Sequence, residues 1–398
     1  MQFQARRYDT RKVISIHVDD GRIARVQTQG AAHADALPWV APGFVDIQVN
    51  GYGGQEFSSP ELTPDKVAAI VRRHWAFGVT SLCPTLTTHS HDCLVRALEA
   101  IDFACQSFPE VARAVPGIHL EGPYFSSEDG PRGAHPAEHC RRPSWTEFER
   151  LQAAASGRIR ILTMSPEFDE APEFIARATA ANVIVAIGHT AATSRQIQDA
   201  VDAGARLSTH LGNGAHRLLP RHPNYIWDQL AEDRLQASLI VDGHHLPAEV
   251  VKAMVRAKTP ERCILVSDMS GLAGLPPGRY TGSGCQVDIL DDGRLVIAGQ
   301  QQLLAGASRP IGDGVANLID FARIDLATAV AMATDHPARL LGLPSRGLRP
   351  GEPADLVLFD LVSEPRTRLE IRATLSAGDL VYGDLEAGRQ KAAGIGDA

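Results

Sequence analysis

Residues 115–125 read Val-Pro-Gly-Ile-His-Leu-Glu-Gly-Pro-Tyr-Phe, and the prediction of the fold starts from this stretch. It begins as a short apolar run, which is typical of a parallel strand buried on both faces. The run ends at Glu121, directly before Gly122-Pro123, a pair that ends the strand. A carboxylate at the mouth of a buried strand is costly unless something pairs with it. Glu121 alone leaves three roles open: an ion pair with an arginine, a helix cap, or part of a functional site.

The middle of the chain alternates apolar runs of this kind with helical patterns. Strands are predicted over 43–49, 79–84, 115–120, 159–164, 183–187, 207–209, 237–241 and 263–266. Helices are predicted over 64–77, 91–106, 144–155, 171–181, 194–203 and 247–258. Eight strands with interleaved helices in roughly 250–300 residues predict a (β/α)₈ barrel, the TIM-barrel fold. A doubly wound open sheet is the alternative, although no G-x-G-x-x-G motif follows the first strand.

Both ends of the chain have a different character. Residues 12–27 alternate polar and apolar residues around Asp19-Asp20-Gly21, which predicts a hairpin, and short strand patterns return at 355–359, 368–375 and 379–382. These patterns predict a small β-sandwich domain built from residues 1–41 and 345–398, with the barrel over 42–344. Residues 384–398 are rich in glycine, alanine and charge and are expected to form a frayed tail.

The net charge and the cysteine pattern indicate which binding partners and which cellular compartment to expect. The 398 residues carry a formal net charge of −8, which argues against nucleic acid or an anionic membrane as the main partner. No apolar run approaches the ~20 residues of a membrane span, and the first twenty residues lack the apolar core of a secretory signal. The six cysteines are scattered, without a C-x-x-C pair, and are expected to be reduced thiols of a cytoplasmic protein.

Polar residues follow most of the predicted strands at the point where each strand ends. They are Asp46 to Asn50 on strand one, Glu121 on strand three, His189 on strand five, His210 on strand six, Asp242 to His245 on strand seven, and Asp268 on strand eight. In a parallel barrel these ends share one face, and the active site of such enzymes is built there. One such residue has a simple structural explanation, but a set of them predicts a site.

Glu121, His189 and His210 can reach one point from strands three, five and six. One carboxylate, two imidazoles and a water would make a tetrahedral Zn²⁺ or Fe²⁺ site with an open position. A metal there would lower the pKa of its water towards ~7 and supply hydroxide at neutral pH. His119 lies two residues before Glu121 on the same face and is a weaker ligand candidate. The alternative for any single histidine is a hydrogen-bonded core or surface residue.

Asp268 is the candidate general acid and base. It follows an apolar strand and precedes Met-Ser-Gly, so it could take a proton from an activated water and deliver it to a leaving group. Its alternative role is capping a helix or a turn. His135 and His245 lie on loops of the same face, where they could donate hydrogen bonds to substrate hydroxyls or to a developing oxyanion.

Together these motifs resemble the amidohydrolase superfamily, and more narrowly the N-acetylglucosamine-6-phosphate deacetylase family. The segments that carry the resemblance are Pro42-Gly-Phe-Val-Asp46, His119-Leu-Glu-Gly-Pro123, Gly188-His-Thr190, Ser208-Thr-His-Leu211, Asp242-Gly-His-His245, Val266-Ser-Asp268 and Leu304-Ala-Gly-Ala-Ser308. The resemblance implies metal-dependent hydrolysis of the acetamide of an amino-sugar phosphate, releasing acetate and a free amine. It also implies a cytoplasmic homodimer.

The resemblance assigns roles by position. Glu121, His189 and His210 match metal ligands, with Zn²⁺ expected and Fe²⁺ as the alternative, and Asp268 matches the catalytic acid and base. The positions that match substrate contacts are His135, Asn213, Gly214, Arg221, which lies near a phosphate-binding arginine, and His245.

Two segments depart from the family pattern. Gln48 and Asn50 replace the His-x-His of many amidohydrolases, and we therefore expect one metal per chain. Residues 211–216 read Leu-Gly-Asn-Gly-Ala-His, where deacetylases typically have an aromatic residue followed by Asn-Ala-Met, which changes the wall of the sugar pocket. Two alternatives stay open: an amidase for another N-acyl substrate without phosphate, and a metal-free scaffold that only binds partners.

Overall fold

The computed structural model describes residues 1–30, 34–282 and 285–385. Its strands are β1 (Gln2–Arg7), β2 (Val13–Asp19), β3 (Arg22–Thr28), β4 (Trp39–Pro42), β5 (Phe44–Val49), β6 (Gly51–Tyr52), β7 (Gln55–Glu56), β8 (Val79–Thr87), β9 (Ile118–Glu121), β10 (Ile159–Met164), β11 (Ile184–Ile187), β12 (Leu207–Ser208), β13 (Gln236–Ile240), β14 (Cys263–Val266), β15 (Gly278–Gly282), β16 (Cys285–Ile289), β17 (Leu295–Ile297), β18 (Gln300–Leu304), β19 (Leu356–Val362), β20 (Arg368–Ser376) and β21 (Asp379–Gly383).

The helices fall between the barrel strands and after the last of them. They are α1 (Pro64–His74), α2 (His91–Ser107), α3 (Pro109–Ala114), α4 (Trp145–Ala154), α5 (Ala171–Ala180), α6 (Ser194–Asp202), α7 (Tyr225–Ala231), α8 (Ala248–Lys258), α9 (Ile311–Ala322), α10 (Leu326–Met332) and α11 (Asp335–Leu340). None of the helices in the described part of the chain has the length and apolar character needed to cross a bilayer.

Eight parallel strands form the central sheet, in the order β5, β8, β9, β10, β11, β12, β13, β14. Its two ends meet through a parallel bridge between Val49 and Met269 and a 3.0 Å bond from Asp268 N–H to Gln48 O. This closure confirms the predicted (β/α)₈ barrel and excludes the open sheet. The third strand begins at Ile118 rather than at 115, because Pro116 has no N–H to donate to a ladder.

Local sequence sets the helix starts. Thr63 caps α1 by accepting a bond from Lys66 N–H, and Pro64 takes the first helical position, where its missing N–H costs nothing. Thr193 and Gln196 form a capping box at α6. α1 ends at His74 rather than at 77, because residues 75–77 tighten into a 3₁₀ turn that ends on Gly78 with φ +77°.

Residues from both termini form a seven-stranded mixed sheet in the order β21, β20, β19, β4, β1, β2, β3. The sheet curls back on itself, since Arg22 pairs with Pro353 and Ala354 N–H donates to Gly21 O at 2.9 Å. It encloses an apolar core that includes Ile16 and Leu358. We propose that the chain divides into residues 1–41 with 345–398 and residues 42–344. From residue 386 on, the expected frayed tail lies outside the described residues.

Several elements have no counterpart in the sequence prediction, among them helices α3, α7 and α9 to α11 and one sheet. After the eighth barrel strand, β15 to β18 form a four-stranded antiparallel sheet over residues 278–304, which we call the lid sheet. It has a small apolar core of its own, formed by Leu272, Val287, Ile289 and Leu295. Because the insertion follows the carboxyl end of a barrel strand, it lies on the face where the predicted site residues gather.

Candidate metal centre and active site

Three strand ends bring Glu121, His189 and His210 together in the barrel mouth. Glu121 is the last residue of β9, and the two histidines follow β11 and β12 by two residues. Glu121 Oε1 lies 3.2 Å from His189 Nε2 and 3.0 Å from His210 Nε2, and the two imidazole nitrogens are 3.1 Å apart. All three side chains are buried. Within the described ranges this is the one group whose donor atoms could hold a metal ion together.

The backbone is strained at the site. His189, His210 and Asp268 have φ values of +50°, +29° and +51°, in the left-handed region that non-glycine residues rarely adopt. Such conformations cost on the order of 1–3 kcal/mol each and persist only where the surrounding structure holds them. Strain at the ends of β11, β12 and β14 indicates that the direction required of these side chains, rather than the preferred backbone conformation, determines the local structure here.

The hydrogen bonding of His189 leaves one of its ring nitrogens available to a cation. His189 Nδ1 lies 2.9 Å from Pro131 O and donates its hydrogen there, which leaves a lone pair on Nε2. Burial lowers the pKa of His189, so this imidazole is neutral at pH 7. Its Nε2 also lies 3.3 Å from His135 Nε2. Two imidazole nitrogens and a carboxylate oxygen that converge at these distances match the donor set of Zn²⁺ or Fe²⁺.

The charge of Glu121 is maintained within the cluster. Burial raises the pKa of Glu121, but the His189 and His210 imidazoles, 3.2 and 3.0 Å from its Oε1, outweigh burial and leave that pKa well below its usual range. Glu121 is therefore an anion at neutral pH. No lysine or arginine accompanies it in the ion pairs of the described residues, so the arginine partner considered from sequence does not occur there.

His119 does not join the cluster, contrary to its place as a weaker ligand candidate. Its Nδ1 lies 3.0 Å from Ile47 O and its Nε2 lies 2.7 Å from Thr163 Oγ1, so both ring nitrogens already have protein partners. The period-two rule placed it on the correct face of β9. It lies one layer deeper in the barrel than Glu121, and it contributes to packing there.

Asp268 is oriented by two side-chain amides. Gln48 Nε2 donates to its Oδ1 at 3.1 Å, and Asn50 Nδ2 donates to the same oxygen at 2.7 Å. Burial, and next the charge of Glu121, raise the pKa of Asp268 to about 6. A carboxyl group with this pKa can exchange a proton near neutral pH. Among the described residues no backbone N–H donates to this carboxyl, so the capping alternative finds no support.

Gln48 and Asn50 are the residues whose role sequence reasoning missed. The sequence showed them only as replacements for a His-x-His pair. In the structure they are donors that fix the carboxyl of Asp268, because β5 and the end of β14 are neighbours across the closure of the barrel. The signal was available in the predicted closure, which places strand one beside strand eight.

A cavity of about 510 Å³ opens above the cluster, and it is enclosed by barrel loops and by the lid sheet. The predicted residues that line it are Glu121, His135, His189, His210, Asn213, Gly214, His245 and Asp268. His245 is held by Asp242, whose Oδ2 lies 2.8 Å from the ring Nδ1 and whose Oδ1 accepts the backbone N–H at 2.9 Å. The volume lies in the usual range for small-ligand sites.

Arg221 is the predicted site residue that the structure leaves outside. It lies on an exposed loop between β12 and α7 and does not line the cavity of its own chain. The sequence could assign it only to the barrel face, because loop residues carry no periodicity that fixes their direction. Among the arginines that the structure describes, Arg294 of the lid sheet is the one that lines the cavity.

The amidohydrolase family profile matches residues 39–383, which covers the barrel and most of the terminal sheet. The chain belongs to the amidohydrolase family. A human N-acetylglucosamine-6-phosphate deacetylase is 34% identical over 362 residues, which span 88% of this chain and 85% of that protein. An Escherichia coli N-acetylgalactosamine-6-phosphate deacetylase is 32% identical over 350 residues, spanning 87% and 90%. These relatives confirm the narrower resemblance to the deacetylase branch.

Solved structures agree with the sequence relatives. A mutant N-acetyl-D-glucosamine-6-phosphate deacetylase from Mycobacterium smegmatis, in complex with N-acetyl-D-glucosamine-6-phosphate, matches this amidohydrolase with a TM-score of 0.85 and 30% identity. That match covers 96% of this chain and 99% of the other. A Thermotoga maritima N-acetylglucosamine-6-phosphate deacetylase matches with a TM-score of 0.84 and 25% identity, over 96% and 100% of the two chains.

Proposed function

We propose that this amidohydrolase removes the acetyl group from N-acetylglucosamine 6-phosphate or a close N-acetylhexosamine 6-phosphate. The observation that carries the proposal is the Glu121, His189 and His210 cluster facing the same cavity as Asp268. The deacetylases that match the chain over most of its length support the amino-sugar phosphate as the substrate class.

Glu121, His189 and His210 would hold one divalent metal, with Zn²⁺ proposed first and Fe²⁺ as the alternative. Such an ion, when bound, polarises a carbonyl group and lowers the pKa of water. Gln48 and Asn50 donate hydrogen bonds to Asp268, and their amide nitrogens are poor metal ligands. This arrangement supports one metal per chain rather than two.

Asp268 carries the proton in the proposed reaction. Its Oδ1 is occupied by two amide donors, so Oδ2 takes the proton from the attacking water and later delivers it to the amide nitrogen. The carbon–nitrogen bond then breaks, and acetate and the free amine leave. His135 and His245 line the cavity with Asn213 and Gly214, where we propose that they bind and orient the acetamide and the sugar hydroxyls.

The remaining proposals concern assembly and location. We propose a homodimer, supported by Leu218 and Trp227, which are 91% and 55% exposed on the segment that also carries Arg221. A sizing experiment with light scattering tests it, because a monomeric mass would contradict it. We propose a cytoplasmic location, supported by six cysteines that form no disulfide.

Acetate release separates the proposed substrate from its alternatives. Purified protein supplied with Zn²⁺ or Fe²⁺ is assayed with N-acetylglucosamine 6-phosphate, N-acetylgalactosamine 6-phosphate and unphosphorylated N-acetylglucosamine. The proposal predicts a clear preference for a phosphorylated sugar. Equal rates with and without phosphate would favour an amidase for another N-acyl substrate. No acetate from any of them, together with no metal binding, would favour a scaffold that only binds partners.

A further inference from the structure

A chain of hydrogen bonds runs through the barrel interior, one layer deeper than the metal cluster. Thr209 Oγ1 lies 2.7 Å from Thr163 Oγ1, which in turn lies 2.7 Å from His119 Nε2. The other ring nitrogen of His119, Nδ1, lies 3.0 Å from Ile47 O. All four residues are buried. We call Ile47, His119, Thr163 and Thr209 the His119 network.

The direction of each bond in the His119 network follows from its one backbone member. Ile47 O can only accept, so His119 Nδ1 carries the hydrogen, and burial lowers the pKa of His119 to about 4 and keeps the ring neutral. Nε2 therefore holds a lone pair, and the Thr163 hydroxyl donates to it. Thr163 Oγ1 then accepts from the Thr209 hydroxyl. Because the Thr163 hydroxyl both donates and accepts, it is the link that joins the two ends of the network.

Three members of the network lie one or two residues before a residue of the proposed site. The pairs are His119 and Glu121 on β9, Thr209 and His210 at the end of β12, and Ile47 and Gln48 on β5. Thr163 contacts the segment of the remaining ligand. A Cβ added to Gly188, which directly precedes His189, would lie 2.7 Å from the Thr163 methyl group. The network therefore touches the segments that carry all three metal ligands and one of the amides that orient Asp268.

The two histidine ligands need such support because their backbone is strained. φ is +50° at His189 and +29° at His210. A non-glycine residue keeps such a conformation only where the surrounding structure holds it. Thr209 is held from two sides just before this point, since its hydroxyl donates to Thr163 and its backbone N–H donates to a carbonyl of β11 at 2.9 Å. The direction of the His210 side chain is thereby tied to the strand that carries Glu121.

We propose that the His119 network positions the metal ligands, with the Thr163 hydroxyl as its central link. This inference rests on the proposed metal centre and gives His119 a role beyond packing. None of the four members lines the cavity, so the network acts on the reaction through the ligands and its members are positioning residues. Hydrogen-bonding groups behind the ligands of a metal fix the orientation of those ligands, and their loss typically lowers metal affinity about 10–100-fold.

The test compares Thr163→Val with Thr163→Ser, and uses Thr374→Val as a matched control. Valine keeps the shape of threonine but places a methyl group where the hydroxyl makes two contacts of 2.7 Å, so the network opens at its centre. Thr374 is also buried, and its hydroxyl donates to Trp75 O at 2.7 Å in the terminal sheet. The affinity for Zn²⁺ is measured by competition with a chelator, and the stability of the metal-free proteins is measured by urea unfolding.

Thr163→Val should raise the Kd for Zn²⁺ about 10–100-fold, whereas Thr163→Ser, which keeps the hydroxyl, should stay within about threefold of the wild type. Thr374→Val should lower the midpoint of urea unfolding and leave the Kd unchanged. If Thr163→Val does not fold, Thr209→Val replaces it. This variant removes only the outermost donor of the network, and it should raise the Kd by a smaller factor.

The outcomes separate this inference from the proposed function. A wild type that binds Zn²⁺ and a valine variant that keeps the wild-type Kd would overturn the positioning role but leave the metal centre intact. Equal increases in Thr163→Val and Thr163→Ser would assign the effect to packing of the methyl group, and an equal increase in Thr374→Val would assign it to general destabilisation. Either result would also overturn the role. A wild type that binds neither Zn²⁺ nor Fe²⁺ would reject the proposed metal centre itself, and this inference with it.

Discussion

Replacing Asp268 by asparagine removes the ability of this side chain to transfer a proton while nearly preserving its size and its hydrogen bonds. Asparagine has nearly the same size, and its amide oxygen can accept the bonds from Gln48 and Asn50 that Oδ1 accepts. Its amide nitrogen cannot take up a proton from water. We therefore expect the variant to keep the fold and the metal while it loses acid–base catalysis. kcat should fall by about 10²–10⁴, equivalent to about 3–5 kcal/mol of barrier.

The same substitution should make the metal-free protein more stable. Burial raises the pKa of Asp268 from 3.8 to about 6, so the folded state holds this proton more tightly than the unfolded state between those values. The contribution of Asp268 to the free energy of unfolding falls as pH rises through this window and stays low above about 6. At pH 7, removing the charge should raise the free energy of unfolding by about 1–3 kcal/mol. Lower activity with higher stability is the expected signature of a functional buried charge.

The assay combines acetate release at saturating substrate, metal content, and urea unfolding in the presence of a chelator. Asp46→Asn is the control, since Asp46 is also buried, accepts hydrogen bonds from backbone N–H groups of Gln48 and Ser267, and does not line the cavity. The control should keep kcat close to that of the wild type. A fully metallated Asp268→Asn variant with kcat within a factor of about three of the wild type would refute the proton-transfer role.

Three further predictions concern the support of the site. Asn50→Ala removes the shorter of the two side-chain hydrogen bonds to Asp268 and should lower kcat about tenfold with little change in KM in steady-state assays of acetate release. An unchanged kcat would contradict the role of Asn50 in positioning Asp268. In Gly188→Ala the added Cβ would lie 2.7 Å from a threonine methyl group of a flanking strand and would displace the neighbouring His189. The affinity for Zn²⁺, measured by competition with a chelator, should fall about 10–100-fold, and an unaltered Kd would contradict the role of His189 as a ligand. Burial lowers the pKa of His74 from 6.5 to about 4, so the contribution of neutral His74 to stability is complete above pH 6.5 and declines as the pH falls towards 4. In urea titrations, His74→Leu should therefore lose about 2 kcal/mol less free energy of unfolding between pH 7 and pH 5 than the wild type does. The same pH dependence in both proteins would contradict this prediction.

The sequence predicted the barrel and the metal cluster because both follow from periodicity. Apolar runs at a regular spacing give the strands, and a polar residue at the end of a parallel strand can lie on only one face of the barrel. Glu121, His189 and His210 could therefore be grouped without knowledge of any distance. The strained φ values at the two histidines could not be predicted, because backbone conformation at a strand end depends on the packing around it.

The lid sheet above the site could not be predicted from the sequence. The strands of the lid sheet are three to five residues long, too short for period-two alternation to stand out. Its core depends on contacts with Leu272, which lies outside the sheet. The direction of Arg221 could not be predicted either, because it lies on an exposed loop without periodicity, and its role in substrate binding stays a prediction.

The metal content of the purified protein tests the central claim most directly. Elemental analysis of the wild type and of a His210→Gln variant, each after incubation with Zn²⁺ or Fe²⁺ and removal of the excess, measures occupancy of the cluster independently of any substrate. We expect about one equivalent per chain in the wild type and a small fraction of that in the variant. Less than about half an equivalent in the wild type, not restored by either ion, would contradict the account.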